Sequence, residues 1–479
     1  MAEPVIVWFR RDLRLSDNPA LDRARRSRQP LIPVYIFAPD EETPWQPGGA
    51  SRYWLHESLQ VLEEGLQRLG SRLILRRGDS LAELEKLARE TGAEALFWNR
   101  LYEPALRKRD RRIETAMKQR GIDVQTFPGH LINEPDTVAT KQGSPFKVFT
   151  PYWKHCRQLQ TTLETVGGIR TLPVAAQWPA SDSMESLELV SRIKWYDGID
   201  ARWTPGFRGA ESALQRFIKE AAAGYATQRD IPSRDGVSSL SPHLHFGEIT
   251  PRRVIKAMAD ADRSRGLLSL SAPAEAFVRQ LYWRDFAHYL LHHFPRTPTQ
   301  PLYDKFRHFP WRKNKRLFTA WSRGQTGYPI VDAGMRELWQ TGWMHNRVRM
   351  IAASFLIKDL MIHWREGAKW FWDTLVDADL ANNTMGWQWV AGCGADAAPF
   401  FRIFNPVTQG ERFDAGGDYV RRWVPELAQL DNRFIHKPWL ASPVELEAAG
   451  IRPGRDYPDP VVDHAEARKR ALAAYKRIQ

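Results

Sequence analysis

Val5-Ile-Val-Trp-Phe9 and Leu31-Ile-Pro-Val-Tyr-Ile-Phe37, on either side of Asn18-Pro19, decide how the first 130 residues are read. Each is a short, unbroken apolar run, the pattern of a strand buried on both faces, and the Asn-Pro pair between them starts a helix. The rhythm continues. Leu55, Leu59, Leu62, Leu66 and Leu69 share one helix face as far as Gly70, and Arg72–Leu75 reads as a strand. A helix through Leu81, Leu84 and Leu87 stops at Gly92, Ala95–Trp98 is a strand, a charged helix runs to Gly121, and Ile122–Phe127 is the last strand. The alternation predicts an α/β domain over residues 1–130, built on a doubly wound parallel five-stranded sheet. Between 131 and 200 the periodicity fades into Pro-, Ser- and Thr-containing text, which reads as a connector ordered in parts. From about Gly206 strand-like alternation is absent and helix starts such as Ser241-Pro242 and Thr250-Pro251 take over, so 201–479 is expected to be all-α.

The 479 residues include 69 basic and 56 acidic side chains, a net charge of +13 that selects for anionic partners such as nucleic acid or phosphate-rich ligands. Disordered and acidic-tail classes are set aside by an ordinary globular composition, 43% hydrophobic and 26% charged. Two cysteines, Cys156 and Cys393, cannot build a disulfide framework or a cysteine-rich metal site, which points to a reducing compartment. The N-terminus has no secretory pattern, and no stretch approaches the roughly 18 apolar residues of a membrane span. A cytoplasmic protein without membrane association is expected. Twenty tryptophans against 22 Phe and 13 Tyr is a marked indole excess, although indoles also serve as ordinary core material.

The chain has no GxGxxG, GxxxxGK[ST], HExxH or GxSxG, so the common nucleotide, zinc and serine-hydrolase signatures are missing. Val237-Ser-Ser-Leu-Ser241-Pro242 places small hydroxyl residues at a helix start, where backbone N–H groups favour phosphate, though ordinary N-caps look the same. Helical spacing puts Gln280, Trp283 and Arg284 on one face. That face either receives a base or packs through Trp283 with Arg284 paired to a neighbour. Trp387-Gln-Trp389 and His345-Asn-Arg347 add stacking planes, amides and cations suited to unstacked bases and phosphates. Asp377 and Asp379 read as paired carboxylates, metal ligands, or partners of a ribose or an arginine; no His or Glu nearby completes a metal set, and no metal is expected. The run Arg107-Lys-Arg-Asp-Arg-Arg112 reads as a solvated helix face.

Trp8-Phe-Arg-Arg-Asp-Leu-Arg-Leu15, Thr326-Gly-Tyr-Pro-Ile-Val-Asp332, Gly342-Trp-Met-His-Asn-Arg347 and Asp379-Leu-Ala-Asn-Asn383 occur in that order. With these motifs the chain resembles, nearly end to end, the photolyase/cryptochrome family of blue-light flavoproteins, above all its bacterial cyclobutane pyrimidine dimer photolyases. The resemblance implies a C-terminal helical FAD domain, in which Tyr225, Val237, Ser238, Ser239, Leu240 and Ser241 match the phosphate-contacting segment and Trp283 and Arg284 lie in the matching helix. It implies further that Asp377 and Asp379 contact adenosine and isoalloxazine, that Arg349 is the flavin's cationic neighbour, and that Asn383 is the amide beside flavin N5. Trp387, Trp364 and Trp311 match the family's electron carriers from flavin to surface. Trp283 and Trp389 match the walls around a flipped-out dimer, and Arg229, Gln280, Asn346, Arg347 and Met350 match the rest of the lesion pocket.

The implied activity is light-driven repair of cyclobutane dimers in single- or double-stranded DNA by a monomer with no obligate protein partner. Two positions depart from the family pattern. Gln280 stands where many cyclobutane photolyases carry Glu; it donates a hydrogen bond but supplies no proton. Gln at this position also occurs in (6-4) photolyases, yet those need histidines where this chain has Asn346 and Met350. Leu106 replaces an acidic folate contact, leaving another folate pose (methenyltetrahydrofolate), an 8-hydroxydeazaflavin, or no antenna. A cryptochrome-like photoreceptor is the first competing expectation, opposed by Asn383, since plant-type cryptochromes carry a proton-donating Asp there, and by an end at Gln479 without a long extension. A nucleotide-handling ligase is the second, and its phosphate motifs are missing.

Overall fold

A computed structural model describes residues 3–159, 165–264, 266–397 and 401–479. The chain forms two compact units, Met1–Ala223 with Ser238–Pro295, and Gly224–Val237 with Arg296–Gln479. This division follows packing rather than element type, and residues 160–164 of the expected connector lie outside the described residues.

The first unit contains the five strands β1 (Val5–Phe9), β2 (Leu31–Phe37), β3 (Ile74–Arg77), β4 (Ala95–Asn99) and β5 (Asp123–Phe127). All pair in parallel in the order β3-β2-β1-β4-β5, with Val5 opposite both Leu31 and Ala95. The apolar runs are explained by burial: every residue of β1 is buried, and Ile6, Trp8, Ile32, Val34, Leu96 and Trp98 meet in one core. Asn18 caps the first helix by accepting from the Leu21 amide at 3.1 Å, and Gly92 ends the helix Ser80–Thr91 in a left-handed conformation. Several boundaries differ from the sequence reading. The leucine-faced helix Gly49–Gln67 ends before Leu69, and β3 begins at Ile74 rather than Arg72. β3 also runs past Leu75 to Arg77, with Arg76 buried on a 2.5 Å bridge to Glu90, a charged residue in a position the apolar pattern excluded; β4 ends at Asn99 rather than Trp98, and β5 begins at Asp123 rather than Ile122.

Strand order reverses between β1 and β4, the place where open parallel sheets take ligands. Just beyond β1, Arg10 pairs with Asp110 at 2.9 Å and lies 4.5 Å from the Trp8 ring, while Arg109 lies 4.7 Å from the same ring and pairs with Asp110 and Glu41. The basic run is therefore solvated on one side only: Lys108, Arg111 and Arg112 are exposed, but Arg109 and Asp110 belong to this network. The same unit holds the 22-residue helix Ala272–His293, anchored where buried Asp285 accepts from the amides of Ile132 and Asn133 at 2.8 and 2.9 Å.

In the second unit the described elements are helical, principally Pro329–Thr341, Asn346–Ser354, Trp364–Thr374, Leu380–Ala391 and His464–Lys476. Asn346–Ser354 passes into a wide π-helical turn, Phe355–Asp359. Among the described residues no helix is long and apolar enough to cross a membrane. Lys358 in this turn is buried, its Nζ 3.1 Å from the Phe401 ring centroid and 3.3 Å from the Arg402 carbonyl. Burial pushes its pKa down from 10.5 to about 7, with the carboxyl of Asp359 acting in the opposite sense. Between pH 7 and 10.5 the unfolded chain therefore binds the extra proton, so this residue makes stability rise with pH, by up to about 1.4 kcal/mol per unit. Lys358→Met is expected to lack that increment when urea unfolding is compared at the two ends of the window. Equal pH slopes in the two proteins would contradict it.

Candidate functional site

In the first unit the hydroxyl segment leads into a helix of only five residues, Ser241–His245, whose N-cap is buried Leu240. Its dipole is correspondingly small. What the segment offers an anion is its backbone N–H groups and hydroxyls: Ser239 adopts a left-handed φ of 54°, Ser241 is exposed, and the Ser238 hydroxyl accepts from the Leu240 amide at 3.4 Å.

On the helix Ala272–His293 the three residues expected on one face have different surroundings. Gln280 is half-buried, and its Nε2 donates to the Ala276 carbonyl at 3.0 Å. The Trp283 ring lies flat on Phe149, centroids 3.6 Å apart at 11°. Arg284 is buried: Nη1 donates to the His130 carbonyl at 2.9 Å, and Nη2 lies 2.6 Å from His130 Nε2 and donates to the Leu244 carbonyl at 3.2 Å. Arg284 thus follows the packed alternative rather than presenting its guanidinium beside Trp283. Neither His130 nor Phe149 was legible as a partner, since both lie more than a hundred positions away in sequence.

In the second unit Tyr225, Arg229, Asp230 and Arg347 form one cluster. The Arg229 guanidinium lies 5.4 Å from the Tyr225 ring and 3.9 Å from Asp230, which pairs at 2.9 Å with Arg347. Arg347 also lies 4.3 Å from the Phe413 ring. Asp230 was overlooked in the sequence although it follows Arg229 directly; it is the group that holds these two cations together. His345 caps the helix Asn346–Ser354, its Nδ1 accepting from the Arg347 amide at 3.2 Å, and Asn346 stands exposed with its Nδ2 4.0 Å from Met350 Sδ one turn on. Val237, the last residue of its segment in this unit, is half-buried.

Asp377 and Asp379 have separate duties. Arg349 donates through Nη2 to Asp377 Oδ2 at 2.8 Å and through Nε to the Met344 carbonyl at 2.7 Å. A guanidinium so close opposes a metal ion, and among the alternatives Asp377 takes the arginine partner. Its Oδ1 is buried and accepts no hydrogen bond from the described protein. Asp379 caps the helix Leu380–Ala391, accepting from the backbone and side-chain nitrogens of Asn382 at 2.8 Å each. One turn on, half-buried Asn383 donates through Nδ2 to the Ala368 carbonyl at 3.0 Å, which leaves Oδ1 as a neutral acceptor held in one orientation.

Trp387, on the same helix, is buried against Phe371 and Trp321, with centroids 5.0 and 6.2 Å away. It fits so closely on Gly367 that a Cβ there would fall 2.1 Å from its Cη2. Trp389 is half-buried and donates through Nε1 to the Asp396 carbonyl at 3.0 Å. Trp364 is buried and Trp311 half-buried, and the ring in contact with both is His363, at 5.5 and 5.0 Å. No sequence motif singles out His363, because its contact with Trp311, 52 positions away, is visible only in the fold.

Residues 5–171 match the family described as DNA photolyase, and residues 277–477 match the FAD binding domain of DNA photolyase. The deoxyribodipyrimidine photo-lyase of Agrobacterium fabrum is 47% identical, over 99% of this chain and 98% of its own. Cryptochrome-1 of Arabidopsis thaliana is 40% identical, over 99% of this chain and 70% of its own. The crystal structure of a bacterial class III photolyase from Agrobacterium tumefaciens superposes with a TM-score of 0.96 at 47% identity, over 100% of this chain and 98% of that one.

Proposed function

The chain belongs to the photolyase/cryptochrome family as an FAD-dependent lyase of DNA repair, and on that premise we propose that its lesion is the cyclobutane pyrimidine dimer. FAD, when bound and reduced, supplies the light-driven electron that opens such a dimer and recovers it. The residues present fit that group. Asp377 keeps a buried oxygen unpartnered, suited to a ribose hydroxyl or an adenine amine, while its other oxygen is satisfied by Arg349, a cation suited to an anionic ring. The segment Val237–Ser241, together with Tyr225, offers hydroxyls and backbone N–H groups to the phosphates. In this reading Trp283 and Arg284 also belong to the FAD-binding set, with Arg284 acting through its hold on His130.

The observation that carries repair over signalling is the fixed amide of Asn383. It accepts a hydrogen bond without adding charge and has no proton to give, whereas a photoreceptor that stores a protonated flavin needs an acid at that place. Dimer over (6-4) specificity is supported by Asn346 and Met350, neither of which can act as the general acid that (6-4) chemistry requires.

In the second unit Trp389, Arg229, Asn346, Arg347 and Met350 receive the extruded lesion, the two arginines held by Asp230. In the first, Gln280 hydrogen-bonds the lesion and Trp283, backed by Phe149, offers it a ring. Trp387, Trp364 and Trp311 carry electrons inward. For the antenna, Leu106 in place of an acidic contact leaves a folate in another pose, an 8-hydroxydeazaflavin, or none. The test is binding to oligonucleotides containing a cyclobutane dimer, a (6-4) product or no damage. Tightest binding to the dimer is expected, with all three weakening in salt at a log–log slope of about −0.9 per neutralised phosphate. Equal affinity for dimer and undamaged strands would refute the assignment.

A further inference from the structure

The loop between the π-helical turn and the helix Trp364–Thr374 adopts a costly conformation. Met361 is buried with a φ of +55°, a left-handed backbone that a side-chain-bearing residue rarely takes. The turn is pinned to the Trp311 segment: the Arg312 amide donates to the Met361 carbonyl at 2.7 Å, and Arg312 and Ile362 form an isolated parallel bridge. The Ile362 amide donates back to the Leu356 carbonyl at 3.1 Å. These bonds deliver the next residue, His363, to a position where its imidazole lies 5.0 Å from the Trp311 ring and 5.5 Å from the Trp364 ring, tilted 49° and 35°. The imidazole is fixed there because its Nδ1 accepts from the Arg365 amide at 3.0 Å and caps the helix.

We propose that His363 is the bridging ring through which Trp311 passes an electron to oxidised Trp364. This rests on the reading of Trp364 and Trp311 as electron carriers. Trp364, having given one electron toward Trp387, regains one from Trp311. The radical cation left on Trp311 releases its indole proton to water, and a hydrogen atom from an external thiol restores it. His363 ends each passage as it began. Its neutrality matters, since a positive ring between two sites that hold positive charge in turn would raise the energy of both. Burial, with Arg365 and Lys369 nearby, pushes its pKa down to about 4 and keeps it uncharged. The Nδ1 contact places the remaining ring proton on Nε2.

The experiment uses the FAD-loaded protein and two substitutions that separate the ring from the cap. His363→Asn keeps a short side-chain acceptor at the N-cap but removes the ring; His363→Phe keeps a ring and loses the cap. The readout is the tryptophan radical at position 311, detected by electron paramagnetic resonance after a light flash, with thermal unfolding as a check on the fold. His363→Asn is expected to lower the radical yield about tenfold and His363→Phe to restore most of it. An unchanged yield in His363→Asn, or an equally low yield in His363→Phe, overturns the bridge. Trp311→Phe isolates the underlying reading: if it leaves photoreduction unaltered, the carrier assignment itself falls, whereas a loss there alongside a silent His363→Asn removes only the bridge.

Discussion

Replacing Trp387 by phenylalanine is expected to slow light-driven reduction of the bound flavin by about a hundredfold or more, a barrier increase of ~2.7 kcal/mol. Repair by enzyme reduced chemically beforehand should stay near the wild-type rate. The split follows from position. Trp387 is buried between Phe371, Trp321 and the bare backbone of Gly367, where it can pass charge but cannot meet a DNA base. Phenylalanine keeps a ring in that slot while being far harder to oxidise than an indole. The lost volume should cost about 1–2 kcal/mol of stability, too little to unfold the protein. Photoreduction followed by flavin absorbance and repair followed on pre-reduced enzyme are the two measurements. Loss of both would remove Trp387 from the electron carriers and tie it to repair itself.

Asn383→Asp is expected to lower repair about tenfold, and the loss should deepen as pH rises. In the native protein Asn383 Nδ2 donates to the Ala368 carbonyl at 3.0 Å. An aspartate would set a second acceptor against that carbonyl in a half-buried place, leaving a hydrogen bond unmade at a cost of about 1–3 kcal/mol. The carboxyl relieves this by holding a proton, so its pKa lies above the ordinary carboxylate range. At low pH the neutral acid still donates to the Ala368 carbonyl as the amide does; above its raised pKa it becomes an anion facing that carbonyl and, on the proposed reading, the flavin. Repair rates of both proteins between pH ~6 and ~9 test this, and a constant ratio across that range would contradict it.

The fold was legible where a pattern is local. Strands buried on both faces read as apolar runs, and Asn18, Gly92 and Thr250 act at the helix ends where their side chains or backbone freedom placed them. The C-terminal end of β3 was illegible because the partner that neutralises Arg76, Glu90, lies in the following helix. The candidate site divides in the same way. Asp379 and Asn383 share a helix turn that spacing displays, but the group that orients Asn383, the Ala368 carbonyl, belongs to another helix. Arg284 was placed beside Trp283 by helical period, yet its surroundings are set by His130, 154 positions away. His363 owes its place to the left-handed turn at Met361, and no pattern of residue types announces such a turn where the residue is not glycine.

On the proposed reading this chain converts light into repair of one lesion, the cyclobutane dimer. Purified protein with reduced FAD, mixed with oligonucleotides carrying a single cyclobutane dimer or a single (6-4) product, should restore intact pyrimidines to the dimer strand under blue light. It should leave that strand unrepaired in the dark and the (6-4) strand unrepaired under either condition. Dimers that persist through illumination, despite bound and reduced flavin, would contradict that assignment.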